Sequence, residues 1–321
     1  MRPIGAALMT HGSRAVHEAY EGVADETTGA VCGPDTRFQI ASLSKQFAAA
    51  AALLLVEDGV LALSDPVSAW LVGAPAQWAE ITLHHLLTHT SGLPHWDALP
   101  ELDREGPPSR EEVVAAVMGL LPLPGEPTWH YSSPGYVVVA LVVERAGGCA
   151  YADFLRTRIL LPLGLAATSV GSAPAAVAAR GHRGRALHGA EDVSWLPGSG
   201  DLWSTVRDLA RWARAVETGE VVHGRSLRAM VTRQCVVETS REPLVVTGYG
   251  YGVFLGELAG TPARFHDGDN RGFRSLLVRL PEHDTGIVVL AHDELADPYA
   301  TLAELVRLPV FPPRRAGGRR P

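Results

Sequence analysis

A serine and the only lysine of the chain stand three residues apart, in Ser42-Leu43-Ser44-Lys45, and the other 27 of the 28 basic side chains are arginine. A guanidinium keeps its proton in a protein, whereas a desolvated lysine amine can lose one, so of the lysine and arginine side chains only Lys45 could take a proton from a hydroxyl. With 17 serines in 321 residues, chance places a serine three positions before a given lysine about one time in twenty, so the spacing alone is a moderate signal. On a helix the two side chains would be neighbours on one face. Ser42 would then stand at the helix N-terminus, where its N–H is not used by the helix and the dipole favours negative charge. That suits an oxyanion formed by attack on a carbonyl. The chemistry implied is acyl transfer to serine, with a buried lysine as proton acceptor.

The elements that must position this pair are legible in outline. Residues 5–11 and 14–24 read as a strand hairpin around His11-Gly12-Ser13. A helix is predicted from about Ser42 to Asp58, built on the helix formers Ala48 to Leu55 and stopped by Gly59. Further helix starts are expected at Ser64-Asp65-Pro66, at Thr82 and at Ser109, which has capping-box spacing to Glu112. The Pro and Gly clusters at 122–127 and 197–200 divide this region. Short β-like runs follow at 249–257, 263–268, 273–280 and 286–292, then a closing helix over 297–308. Strands at both ends with helices between imply an α+β fold, an antiparallel sheet assembled from both termini and flanked by helices, with a mostly helical inserted lobe. The expected division is 1–62 with 235–308 for the sheet lobe, 63–234 for the helical lobe, and a disordered basic tail over 309–321.

Four ordered stretches give the chain a resemblance to the serine β-lactamase-related family, which includes class C β-lactamases, DD-carboxypeptidases, D-aminopeptidases and family VIII esterases. Residues 36–55 resemble its nucleophile segment. Residues 82–94, Thr-Leu-His-His-Leu-Leu-Thr-His-Thr-Ser-Gly-Leu-Pro, resemble its most recognisable structural stretch. Tyr131-Ser132-Ser133 before Pro134-Gly135-Tyr136 resembles the tyrosine motif, and residues 199–212 the glycine-rich turn and following helix. The resemblance implies a serine hydrolase working through an acyl-enzyme: Ser42 as nucleophile, Lys45 and Tyr131 moving its proton, and either of these as the base. His266-Asp267-Gly268 stands where the family has a lysine-threonine-glycine or histidine-x-glycine triplet. It implies that His266 faces the substrate and that the N–H of Asp269 joins that of Ser42 in the oxyanion hole.

Two departures bear on substrate. Ser133 replaces the asparagine of many relatives, and a hydroxyl cannot span as an amide does. His266 replaces the lysine typical of β-lactamases, and its neighbours Asp267 and Asp269 would repel an anionic ligand unless Arg271 and Arg274 compensate. Ester cleavage, D-amino-acid amide cleavage or acyl transfer is therefore expected over efficient β-lactam hydrolysis. The alternatives are an acyltransferase of secondary metabolism, a non-catalytic acyl-ligand or penicillin-binding sensor, and an interaction protein keeping the motifs as relics.

Composition narrows the partners. A net charge of −7 argues against a general nucleic-acid binder. Cys32, Cys149 and Cys235 are too dispersed for a disulfide framework or a close-spaced metal site. His85 and His89 have zinc-like spacing, but no glutamate follows His85, and both read as structural. Asp201 and Asp208 read as turn or cap groups. No metal or organic cofactor is implied, and the expected partner is a small-molecule or short-peptide acyl substrate. No apolar run reaches a membrane span and no leader is visible, so a cytoplasmic location is expected, unless an unseen leader exports the protein.

Overall fold

A computed structural model describes residues 5–102, 106–125, 128–172, 177–188 and 192–312. The chain opens with β1 (Gly5–His11) and β2 (Arg14–Glu21), the expected hairpin, then β3 (Val23–Asp25), β4 (Ala30–Val31) and β5 (Phe38–Gln39). The helical region holds α1 (Ser44–Glu57), α2 (Leu83–Leu87), α3 (Arg110–Met118), α4 (Ser133–Gly147) and α5 (Tyr151–Leu155). A π-helical turn at Arg156–Leu160 joins α5 to α6 (Leu161–Leu163). Four short strands follow, β6 (Ser169–Val170), β7 (His182–Arg183), β8 (Ala186–Leu187) and β9 (Leu202–Ser204), then α7 (Val206–Thr218) and α8 (Gly224–Val231). The chain returns to the sheet through β10 (Thr239–Arg241), β11 (Leu244–Tyr249), β12 (Phe254–Leu258), β13 (Thr261–Asn270), β14 (Phe273–Leu280) and β15 (Thr285–Ala291), and α9 (Pro298–Leu305) follows.

The main sheet is antiparallel and runs β10-β11-β12-β13-β14-β15-β1-β2, so both ends of the chain build it as the sequence predicts. Strand alternation sends Ala6, Leu8, Val288 and Leu290 into the core shared with α1, α4 and α7, and Ala7, Met9, Ile287 and Val289 into a second core with α9. β15, covered on both faces, is apolar after Thr285 and entirely buried. α7, which the sequence places in the helical insertion, packs on β1, β14 and β15. Its apolar residues recur at helical spacing, Val206, Leu209, Ala210, Ala213 and Val216, and all are buried.

Other differences have local causes. The run 249–257 is two strands, because Gly250 and Gly252 press a turn against backbone. A Cβ on Gly250 would meet Met230 O at 2.2 Å, and one on Gly252 would meet Lys45 O at 2.8 Å. The start at Ser64-Asp65-Pro66 yields only a 3-10 turn, Val67–Ala69. The capping box of Ser109 and Glu112 is present. Most of the basic tail, 313–321, lies outside the described residues. Among the described residues no helix is long and apolar enough to cross a membrane.

Candidate active site

The site begins with a strained turn. Ala41 has φ +49°, and Ala41–Leu43 form a 3-10 turn leading directly into α1, with Ser42 at its centre. A positive φ at alanine costs on the order of 1 kcal/mol and is held here by packing from β13 and β14. Ser275 Oγ donates to Ile40 O at 2.7 Å. Gly268 lets the strand approach: a Cβ there would stand 2.5 Å from Ile40 O and 2.9 Å from Ala41 Cβ.

Lys45 lies in the first turn of α1 and is fully buried. Its Nζ donates to Ser42 Oγ at 2.9 Å, Ser133 Oγ at 3.0 Å and Ser199 O at 3.0 Å. Burial lowers its pKa to about 7, against the opposing pull of Asp267 and Asp201. The third contact depends on close helix packing. Ala48–Ala52 of α1 are small and buried against α4, and Gly198, at φ +68°, threads between the two helices. A Cβ on Gly198 would meet Tyr136 O at 2.8 Å and Ala140 Cβ at 2.9 Å.

α4 delivers the tyrosine motif. Ser132 caps it, accepting from Gly135 N at 3.0 Å and donating to Pro94 O at 2.8 Å, and Pro134 occupies the first turn. Tyr131 precedes the cap with its ring 5.0 Å from Lys45 Nζ and its hydroxyl close to Ser42 and Ser133. Burial raises its pKa above the usual phenol value, so Tyr131 keeps its proton. Of the two candidate bases, the geometry favours Lys45.

Ser42, Tyr131, Ser133, Asp267, Gly268 and Asp269 line one cleft of about 220 Å³. His266 does not line it. Strand alternation gives it the face of Gly268 and Asn270, but its ring is fully buried, with Nε2 3.1 Å from Tyr249 Oη and Nδ1 2.6 Å from Asp267 O. Tyr249 Oη also lies 3.2 Å from His89 Nε2, while His89 Nδ1 accepts from Ser132 N at 3.1 Å. Burial holds both histidines below their usual pKa, so each ring is neutral and the donors are fixed. Protons point in sequence from Ser132 N to His89, from His89 to Tyr249, from Tyr249 to His266, and from His266 to the Asp267 carbonyl. His266 therefore supports the site from behind, tying β13 to the tyrosine motif, rather than facing substrate.

The carboxylates of the wall are paired. Asp267 meets Arg241 at 2.5 Å, and Asp269 meets Arg274 at 2.5 Å. Arg274 compensates as expected, but the partner of Asp267 comes from the edge strand β10, which the sequence pattern does not reveal. Other cleft residues missed by sequence reasoning are His95, Trp96, Leu196, Ser199 and Asn270. Asn270 donates to Gln39 Oε1 at 2.9 Å and Gly200 O at 3.1 Å, pinning the end of β13 to β5 and the glycine turn. Two of these residues had a sequence signal, since His95 follows the quoted stretch 82–94 directly and Ser199 begins the glycine-rich one. Thr82 caps α2 with His85, whose Nδ1 accepts from Thr82 N at 3.2 Å. Asp208 accepts from Ala167 N at 2.9 Å and Thr168 Oγ1 at 2.8 Å, joining the first turn of α7 to the loop before β6. Asp201 is buried beside the site, and burial pushes its pKa up to about 7.

An antiparallel sheet built from both termini, a helix entered through Ser-x-x-Lys and a tyrosine at the start of α4 define the β-lactamase and penicillin-binding-protein fold. Residues 2–310 match the family described as Beta-lactamase, and the chain belongs to it. It is 37% identical to penicillin-binding protein 4* of Bacillus subtilis (strain 168), over 52% of this chain and 38% of that protein. It is 32% identical to esterase EstB of Burkholderia gladioli, over 51% of this chain and 46% of that protein. These two matches thus span less than half of each relative's length. The D-amino acid amidase of Ochrobactrum anthropi SV3 superposes with a TM-score of 0.77 at 26% identity, covering 92% of this chain and 90% of that one.

Proposed function

We propose that this protein is a serine hydrolase that cleaves an ester or amide of a small molecule or short peptide through an acyl-enzyme on Ser42. The observation that carries this reading is the buried Lys45 amine, 2.9 Å from Ser42 Oγ with a pKa of about 7. Above neutral pH the amine is largely unprotonated and accepts the serine proton as Oγ bonds to the substrate carbonyl carbon. The N–H groups of Ser42 and Asp269, both cleft residues, receive the oxyanion. As the carbonyl re-forms, the bond to the leaving alcohol or amine breaks. The Tyr131 hydroxyl protonates that group and is recharged from the Lys45 ammonium. Water then attacks the acyl-enzyme, losing its proton to Lys45, and as the bond from the acyl carbon to Oγ breaks Lys45 returns that proton to Ser42, which releases the acid.

The esterase and amidase relatives support both leaving-group classes. The paired wall, Asp267 with Arg241 and Asp269 with Arg274, lessens the repulsion of an anionic substrate that the bare carboxylates would cause. A sensor that keeps its acyl group is disfavoured by the esterase and amidase relatives.

Incubation with a fluorophosphonate followed by intact-mass measurement tests the reading. One adduct per chain is expected, absent in Ser42→Ala, together with steady-state hydrolysis of an aryl ester. No adduct, or an adduct that survives Ser42→Ala, would overturn it.

A further inference from the structure

His95 stands in the cleft beside Ser42, Tyr131 and Ser133. Its Nδ1 accepts from the backbone N–H of Ser133 at 3.1 Å, and its ring lies 5.5 Å from that of Tyr131, edge to face. Burial and the Lys45 charge lower its pKa to about 4, so the ring is neutral at working pH. A neutral imidazole has one proton, and with Nδ1 an acceptor that proton must sit on Nε2. Among the described residues Nε2 has no hydrogen-bond partner, and the residue is only half-buried.

Several of the polar side chains around Ser42 are committed. Ser133 Oγ accepts from Lys45, so its hydroxyl serves the proton machinery. Asp267 and Asp269 are acceptors paired to arginines, and Asn270 Nδ2 is bonded to Gln39 and Gly200. His95 is thus a neutral, oriented donor beside the nucleophile. Such a donor selects a ligand that offers an acceptor at this place, because a ligand lacking one leaves the polar group unpaired on binding.

We propose that His95 is a specificity residue whose Nε2–H binds a second carbonyl oxygen in the substrate, next to the scissile carbonyl. On that basis, and resting on the acyl-enzyme reading above, the substrates are N-acylated amino-acid or peptidyl esters and amides rather than simple alkanoyl esters. Ser133, which lacks the reach of an amide, positions the donor through its backbone N–H instead of supplying it.

Two matched esters test the proposal, phenyl N-acetylglycinate and phenyl pentanoate, which have acyl chains of equal length with and without the second carbonyl. His95→Asn keeps an acceptor at the Nδ1 position and removes the donor at Nε2. His95→Gln keeps a donor near Nε2 and so acts as the rescue variant. The readout is the ratio of kcat/KM for the two esters. Wild type should favour the N-acetylglycinate, His95→Asn should lower that ratio about tenfold, and His95→Gln should restore most of it. A ratio unchanged in His95→Asn, or equal losses on both esters in both variants, would overturn the proposal. Failure of the acyl-enzyme reading looks different, as wild type would turn over neither ester and Ser42 would take no fluorophosphonate adduct; this outcome would remove both.

Discussion

Lys45 Nζ donates to Ser133 Oγ at 3.0 Å, joining two residues 88 positions apart in the chain. This contact turns two separate motifs into one proton-transfer cluster, since Ser133 starts α4 and Lys45 lies in the first turn of α1. It also fixes the amine against Ser42 with no carboxylate in direct contact, which leaves desolvation as the dominant influence on its protonation.

The pH dependence follows from that environment. Activity requires neutral Lys45, so kcat/KM should rise with pH and level off above an inflection near 7. Lys45→Arg keeps the charge but cannot accept the proton, and should lower kcat about 100-fold or more. A pH–rate profile of an aryl ester checks both; wild-type rates in the arginine variant would remove Lys45 from the mechanism.

Asp267 sets the position of the inflection. Its negative charge favours the ammonium form of Lys45, so its removal makes the amine easier to deprotonate. Asp267→Asn also leaves the Arg241 cation uncompensated nearby, which acts in the same direction. The rising limb of the profile should therefore move to lower pH. A shift to higher pH, measured on the same ester, would contradict the assignment.

Gly268→Ala should damage the nucleophile turn. The added methyl would meet Ser275 Oγ at 2.2 Å and Ile40 O at 2.5 Å, so β13 or the 40–42 turn must move. Overpacking of this kind costs about 1–3 kcal/mol, and displacement of Ser42 should reduce kcat more than it raises KM. Urea unfolding together with steady-state kinetics would separate the two effects.

Tyr249→Phe should break the chain from His89 to His266 while keeping the ring. Both histidines would lose a partner in a site with no access to water, at a cost of about 1–3 kcal/mol. Because the chain ties the tyrosine motif to β13, kcat should fall although Tyr249 does not line the cleft. Unchanged melting temperature and kcat would show that the chain has no role in holding the site.

Much of the fold was legible because its signals are local. The 5–11 and 14–24 hairpin, the helix after Ser42, the Ser109 capping box and the late strands all follow from periodicity and caps that neighbouring residues carry. The missed break at 250–253 arises from the approach of distant backbone, Met230 and Lys45, onto two glycines. The edge strand β10, Thr239–Arg241, is too short to show a pattern and exists through its pairing with β11.

For the site, the sequence by itself determined the register of Ser42 and Lys45, the order of the motifs and the identity of the glycine needed at 268, all matters of covalent spacing and side-chain type. Tertiary structure decided protonation and direction. Whether Lys45 is a base depends on desolvation by α4 and the 198–200 turn, and whether His266 meets substrate depends on the Tyr249 hydroxyl that takes its Nε2. Both are set by groups remote in sequence, because electrostatic environment and hydrogen-bond partnership depend on distance in space.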